Sequence, residues 1–459
     1  MEFHSEGPFK PSGAGSIVSR LLSAEKGSSK VLLWALFVGC LTGFAGALFQ
    51  IALAQLATLK NMLMNYLEAT PGLPLIGSIA LSGIMVYLAF LLVRNIAPET
   101  GGSGVQEIEG ALDEVRPLRW KRVIPVKFFG GLLSLGSGMV LGREGPTIQI
   151  GGNIGKMISD IFRVHKDDTH ALVAAGAGAG LSAAFNAPLA GILFVFEEMR
   201  PEFKYNFLSV QAVIIASASA DIMLRIMVGQ SLAIPMHMLS APPLPSLFLF
   251  LIFGCVFGLF GFIFNRLLVR TLNFFSALTG WPFTLTGLIV GGLIGALVWL
   301  FPDTVGGGYA VIPKALSGSI PVMIMLLVFV ARFGTTMISY GSGAIGGIFA
   351  PMLALGTLFG MWFGHFAHFL LPDLVVQPEV FAVAGMAALF CATVRAPLTG
   401  IALTIEMTGN YLMILPLILT CITSTIVAQG LGGQPIYTVL LKRTLDLAKK
   451  SGNMLIPDK

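Results

Sequence analysis

Three short glycine-rich segments of this chain have the composition of an anion-binding backbone: GGSGVQE at 101–107, GREGP at 142–146 and GGIFAP at 346–351. Their glycines allow close backbone approach, and Pro146 and Pro351 suit the first turn of a helix. A helix that begins there exposes N–H groups with partial positive charge. Several such starts placed together would bind an anion without a full cation, weakly enough to release it. The simpler interpretation is that the glycines only let helices pack closely.

The composition places these segments in a bilayer. Hydrophobic residues make up 55% of the chain, charged residues only 11%, and the mean hydropathy is +0.85, which predicts an all-α polytopic membrane protein. Other apolar stretches, at 123–156, 170–198 and 341–371, contain Gly, Pro and charge, so interrupted helices and function are expected there. Uninterrupted apolar runs of membrane-spanning length lie at 31–55, 73–93, 208–228, 246–264, 282–301, 320–340 and 398–428.

Basic residues are concentrated near the two ends and in short loops, which accounts for the net charge of +5 by membrane topology rather than by nucleic-acid binding. The segment 1–30 lacks the pattern of a cleavable signal peptide. The positive-inside rule predicts that this segment and the tail 441–459 are both cytoplasmic, with lipid around the spans between them.

No cofactor or metal site is predicted. The four cysteines lie in apolar segments without metal-ligand spacing, so we interpret them as small buried hydrophobic residues. His365 and His368 form an i, i+3 pair near aromatic residues, and we interpret the pair as structural.

The chain contains an internal duplication. Residues 39–49 match 254–264, residues 136–146 match 341–351, and residues 185–199 match 394–407, at offsets of 215, 205 and 209. Ordered recurrence of this kind is typical of transporter folds. It predicts a first repeat at 31–230, a linker at 231–245 and a second repeat at 246–440. Parallel and inverted repeats both fit two cytoplasmic termini.

Taken in order, GSG at 102–104, GREGP and GGIFAP resemble the three signature segments of the CLC family of chloride channels and transporters. The chain is most similar to its compact bacterial chloride/proton antiporters. The resemblance implies inverted repeats and a homodimer with one pore per subunit. It extends over most of the chain through PVKFFGG at 125–131, FNAPLAG at 185–191, EEMRP at 197–201, RAPLTG at 395–400 and PIY at 435–437.

The resemblance also implies residue roles. It places chloride against the hydroxyls of Ser103 and Tyr437 and the backbone N–H groups of Ile348 and Phe349. The supporting residues would be Gly102, Gly104, Lys127, Arg143 and Gly145. Gln106 and Ile345 stand where the family usually has prolines, which alters loop stiffness but not ligands.

Two acids would couple the anion to protons. Glu144 is expected to be the external gate and proton carrier, because its carboxylate competes with chloride for one N–H-lined site and its protonated form gives that site up. Glu198 is expected to be the internal proton acceptor. The alternatives are an ion pair between Glu144 and Arg143, and an interfacial salt bridge at Glu198.

Further alternatives concern the roles of Lys127 and Tyr437 and the activity of the whole protein. Lys127 could extend to the membrane interface, and Tyr437 could be an interfacial aromatic residue. A passive chloride channel would typically lack the acid at Glu198, and a fluoride exporter fits Ser103 and Tyr437 less well. An intramembrane hydrolase would need a catalytic pattern, such as G-x-S-x-G or HExxH, that the sequence lacks. The sequence therefore predicts chloride/proton exchange and no enzyme activity.

Overall fold

The computed structural model describes residues 14–199 and 205–450, with side chains described at 30–199 and 205–449. Parts of the predicted terminal segments, 1–13 and 451–459, and Arg200 and Pro201 of EEMRP lie outside these residues. The described chain is helical, and its β-structure is limited to two isolated bridges. The helices are α1 (Ala14–Leu67), α2 (Leu73–Asn95), α3 (Val105–Leu112), α4 (Trp120–Gly136), α5 (Glu144–Ile161), α6 (Lys166–Phe185), α7 (Pro188–Glu197), α8 (Phe207–Val228), α9 (Leu247–Ser276), α10 (Gly280–Leu300), α11 (Val311–Leu316), α12 (Val322–Gly341), α13 (Phe349–Leu370), α14 (Glu379–Val394), α15 (Pro397–Thr408), α16 (Ile414–Gly430) and α17 (Ile436–Lys450). Short 3-10 helices lie at Pro98–Thr100, Leu244–Ser246, Pro302–Thr304 and Tyr411–Met413.

Eight of the described helices are long and apolar enough to cross a membrane. The predicted single span at 398–428 is wrong, because two helices, α15 and α16, occupy it. Gly409 ends α15 in the left-handed conformation, with φ at 71°. The side chain of Asn410 then accepts a hydrogen bond from the N–H of Leu239 at 2.7 Å and holds the turn. The stretch 341–371 is interrupted only at its start, since α13 continues unbroken from Phe349.

The two halves have the same packing. The backbones of α5 and α6 touch where Gly151 faces Gly176, and those of α13 and α14 touch where Gly356 faces Gly385. These glycines are related by the offsets of 205 and 209 found in the sequence. Each crossing brings backbones into contact without intervening side chains, as small residues allow in membrane proteins.

The repeats are inverted. Glu197, at the end of α7, accepts a hydrogen bond from the N–H of Leu398 at the start of α15, at 2.9 Å. Glu406, near the end of α15, accepts one from the N–H of Ala190 at the start of α7, at 2.8 Å. The end of each helix therefore lies at the beginning of the other, so the two repeat-related helices are antiparallel.

Gly142 and Gly347 mark the pseudo-twofold axis. They are repeat equivalents, and they exchange two backbone hydrogen bonds of 2.8 Å each in an antiparallel bridge. Because α5 begins two residues after Gly142 and α13 begins two residues after Gly347, the axis brings two interrupted-helix starts together.

The helix crossings yield a stability prediction. Gly151→Ala would place a Cβ against the carbonyl of Gly176 and should lower the free energy of unfolding by about 1–3 kcal/mol through overpacking. Gly334→Ala in α12 is the matched control, because a Cβ there meets no atom within 4 Å. Thermal melting in detergent should show a lower Tm for Gly151→Ala alone. Equal melting temperatures would contradict this account of the crossing.

Candidate anion site at the repeat axis

The carboxylate of Glu144 lies at the start of α13. Glu144 is fully buried, and its Oε1 accepts hydrogen bonds from the N–H of Phe349 at 2.8 Å and of Ala350 at 3.4 Å. Its Oε2 has no hydrogen-bond partner among the described residues. A carboxylate projecting from the start of α5 thus occupies the N-terminus of the repeat-related helix, where backbone donors favour negative charge.

Within the described residues, no cation forms a salt bridge with this carboxylate. Arg143 instead donates from Nε to the carbonyl of Ala184 at 2.9 Å, and its guanidinium lies 4.4 Å from the ring centroid of Tyr309. The ion pair between Arg143 and Glu144 that the sequence left open is therefore absent. Backbone N–H groups are what hold the carboxylate.

Glycine is required on both sides of the carboxylate. A Cβ at Gly142 or Gly347 would overlap the carboxylate oxygens of Glu144. A Cβ at Gly145 would lie 2.9 Å from the carbonyl oxygen of Ser103 and 2.9 Å from the backbone of Gly347. The segments beginning at 101, 142 and 346 therefore meet at one point. Glycines that served only to pack separate helix pairs would not need to converge in this way.

Ser103 and Tyr437 supply two buried hydroxyls. Both residues are fully buried. The two hydroxyls lie near each other, and the ring of Tyr437 is 5.9 Å from that of Phe349. Apart from each other, the two hydroxyls have no partner among the described residues. Buried polar groups are normally paired, so two such hydroxyls beside a helix start form a site that a ligand would complete.

Lys127 holds the loop that carries Ser103. It is fully buried rather than extended to the interface, and its Nζ donates to the carbonyls of Thr100 at 2.9 Å and Gly102 at 2.8 Å. The positive φ of Gly102 (66°) and Gly104 (87°) shapes the same loop.

Arg332 is the repeat equivalent of Lys127, and sequence reasoning missed it. It is buried and donates to the carbonyls of Val305 at 2.7 Å and Gly306 at 2.6 Å. The signal was present in the sequence, because PETGGSGV at 98–105 recurs as PDTVGGGY at 302–309.

Glu198 follows the last residue of α7 and is partly exposed. Its charge acts on the hydroxyl of Tyr437. Its sequence neighbour Glu197 has the separate role of capping α15. The predicted acceptor thus lies on the Tyr437 side of the site.

Two hydrogen bonds at the site were not anticipated from the sequence. The N–H of Ala350 joins that of Phe349 in donating to the Glu144 carboxylate. The hydroxyl of Tyr340, which was not anticipated, accepts a hydrogen bond from the N–H of Ser103 at 3.4 Å.

The two proline replacements are both buried. The side chain of Ile345 packs against Gly130 of α4, and its backbone bridges Gly102. Gln106 lies in the first turn of α3. Among the described residues, no group of three or more His, Cys, Asp or Glu is arranged to hold a metal.

The fold and site define a class of protein: a membrane protein of two inverted repeats in which the N-terminus of one interrupted helix binds a buried carboxylate from the start of its repeat equivalent. The family model described as voltage gated chloride channel matches residues 84–429. The chain is 51% identical to the H(+)/Cl(-) exchange transporter ClcA of Vibrio parahaemolyticus over 93% of this chain and 92% of that protein. It is 52% identical to the ClcA of Vibrio campbellii over 91% and 90%.

Among solved structures, a slow cyanobacterial Cl-/H+ antiporter is 45% identical, with a TM-score of 0.88 over 91% of this chain and 98% of that one. The chain belongs to the voltage gated chloride channel family, the CLC family.

The Lys127 contacts yield a second prediction. Lys127→Met leaves the carbonyls of Thr100 and Gly102 without their charged donor, at about 1.5–3 kcal/mol for each such hydrogen bond. Lys156→Met is the matched control, because it removes only an i, i+4 pair with Asp160 that is worth about 0.3–0.5 kcal/mol. Thermal melting should show a large loss for Lys127→Met alone. Comparable losses in the two variants would show that Lys127 does not hold this loop.

Proposed function

We propose that this chain exchanges chloride for protons across the bacterial inner membrane. The observation that carries the proposal is the Glu144 carboxylate on the N–H groups of Phe349 and Ala350. A chloride ion is satisfied by the same donors, so one site serves two anions in turn. The relatives named as H(+)/Cl(-) exchange transporters and the structure titled a Cl-/H+ antiporter support the same activity.

Competition at this site links the two ions. While Glu144 is ionised, it occupies the donors and excludes chloride. A proton neutralises it, the attraction to the helix start falls, and chloride takes its place. Glu144 is then both the gate and the proton carrier. One side chain at the axis therefore couples chloride movement to proton movement.

From there chloride moves to a second position, where it contacts the hydroxyls of Ser103 and Tyr437 and the N–H groups of Ile348 and Phe349. Hydroxyl and amide donors bind a dehydrated halide without a full charge, which keeps residence short. Lys127, Gly102 and Gly104 fix the Ser103 loop, and Gly145 allows its close approach to α13.

Protons leave the site toward Glu198. Its electrostatic effect on Tyr437 and its partial exposure support a role as the internal acceptor between the buried site and water. A passive channel would have no use for an acid in this position.

The cytoplasmic termini follow from the positive-inside rule, and the homodimer follows from the family. We place both termini in the cytoplasm and the protein in a lipid bilayer as a homodimer with one pore per subunit, acting as a transporter and not as an enzyme. Cross-linking in proteoliposomes that recovers only active monomers would contradict the dimer.

The function is tested by recording chloride and external pH together in proteoliposomes. The wild-type protein should move protons uphill when driven by a chloride gradient. Glu144→Gln mimics the protonated acid, so chloride should pass without proton movement and without pH dependence. Glu198→Gln should also abolish proton movement but keep pH-dependent chloride flux, because the gate is intact.

Three outcomes would contradict the scheme. Chloride flux without proton movement in the wild type would establish a channel. Proton pumping that persists in Glu198→Gln would remove Glu198 as the acceptor. Proton pumping that persists in Glu144→Gln would refute the competition itself.

A further inference from the structure

The loop that carries Ser103 has a counterpart on the other side of the pseudo-twofold axis. Residues 98–105 and 302–309 align as PETGGSGV and PDTVGGGY. Their glycines adopt the same left-handed conformation, with φ of 66° and 87° at Gly102 and Gly104, and 74° and 111° at Gly306 and Gly308. In the second loop, however, glycine replaces Ser103, and the next hydroxyl is that of Tyr309.

Tyr309 has an unusual environment. Its ring lies over the guanidinium of Arg143, 4.4 Å from centroid to Cζ, and 6.4 Å from the ring of Phe185. Its hydroxyl oxygen is buried, and the described residues offer no acceptor for its O–H; the side chain close enough to donate to it is that of Arg143. The charges of Arg143 and Glu144 both act on that hydroxyl. An O–H donor is therefore held beside a cation and the gate without an acceptor of its own.

The backbone around Tyr309 is fixed. The N–H of Gly306 donates to the carbonyl of Gly138 at 2.8 Å, and Arg332 holds the loop carbonyls. A Cβ at Gly308 would lie 3.0 Å from the carbonyl oxygen of Ala350, so the loop rests on the first turn of α13. Tyr309 thus lies between the segment that leads to Glu144 and the helix start that binds its carboxylate.

The pair of Arg143 and Tyr309 is more accessible than the gate. Arg143 and Tyr309 are partly exposed, whereas Glu144 is fully buried. Ser103 lies on the symmetry-related loop, across the axis. An anion that reaches Glu144 from the side opposite Ser103 would therefore meet Arg143 and Tyr309 first.

We propose that the Arg143 guanidinium and the Tyr309 hydroxyl form an entrance subsite that holds a small monovalent anion, chloride, before it displaces Glu144. The guanidinium has five N–H donors, of which Nε–H is directed to Ala184, and its Cζ lies 4.4 Å from the centroid of the Tyr309 ring. The hydroxyl adds one neutral donor, as Ser103 and Tyr437 do at the inner site. This inference rests on the proposed chloride transport.

Tyr309→Phe tests the subsite, because it removes the donor and keeps the ring over Arg143. Chloride flux is measured against chloride concentration in right-side-out and in inverted vesicles. The half-saturating chloride concentration should rise about threefold to tenfold, the value of one hydrogen bond, from the Tyr309 side only. Tyr411→Phe makes the same chemical change at a residue that is 64% exposed, and it should leave both sides unchanged.

Two flux results would overturn the proposal. One is an unchanged half-saturating concentration on both sides. The other is a displaced pH profile with unchanged chloride dependence, which would assign the hydroxyl to Glu144 instead of to the anion.

Diffraction from crystals grown in bromide provides a test that does not depend on transport. An anomalous peak within hydrogen-bonding distance of the Tyr309 hydroxyl is expected in the wild type and should be lost in Tyr309→Phe. No peak in the wild type would overturn the subsite. Wild-type vesicles that move no chloride would contradict the proposed function, whereas the bromide peak would still report on the subsite.

Discussion

The hydrogen bonds from the N–H groups of Phe349 and Ala350 to the Glu144 carboxylate are the interaction on which the rest of the structure depends. Burying an ionised carboxylate is costly unless its charge is compensated. Here the compensation comes from the start of a helix, and the described residues provide no salt-bridge partner. A lysine or arginine partner would hold the carboxylate permanently. Backbone donors hold it while it is charged and are equally available to another anion when it is neutral.

The duplication explains how a membrane protein places such donors at the centre of its fold. Irregular backbone is tolerated at this depth only where protein surrounds it. The Gly142–Gly347 bridge pairs the two interrupted segments, and Lys127 and Arg332 satisfy the loop carbonyls with charged side chains. Each repeat thereby supplies backbone hydrogen-bond partners to the interrupted segment of the other. The same inversion relates the loop at 98–105 to the loop at 302–309. The two loops differ in that glycine replaces Ser103 in the second and that the second carries the hydroxyl of Tyr309.

The sequence predicted the features that depend on order and spacing. The repeats, the three glycine-rich helix starts and Glu144 beside one of them follow from motifs that recur at steady offsets. Hydropathy could not locate the break at Gly409, because that break depends on one φ angle and on the Asn410 side chain. The donation from the N–H of Ala350 to Glu144 depends on where α13 begins, to within a residue. The partners of Lys127 and the position of Tyr309 depend on tertiary contacts that no local pattern encodes.

The central claim is that chloride and the Glu144 carboxylate compete for the same donors, and proton uptake on chloride binding tests it most directly. Calorimetric titration with chloride near neutral pH, in buffers of different ionisation enthalpy, gives the number of protons taken up. Since a displaced Glu144 is protonated, the wild-type protein should take up protons as chloride binds, and Glu144→Gln should not. A binding enthalpy that does not depend on the buffer in the wild type, or equal proton uptake in both proteins, would contradict the account.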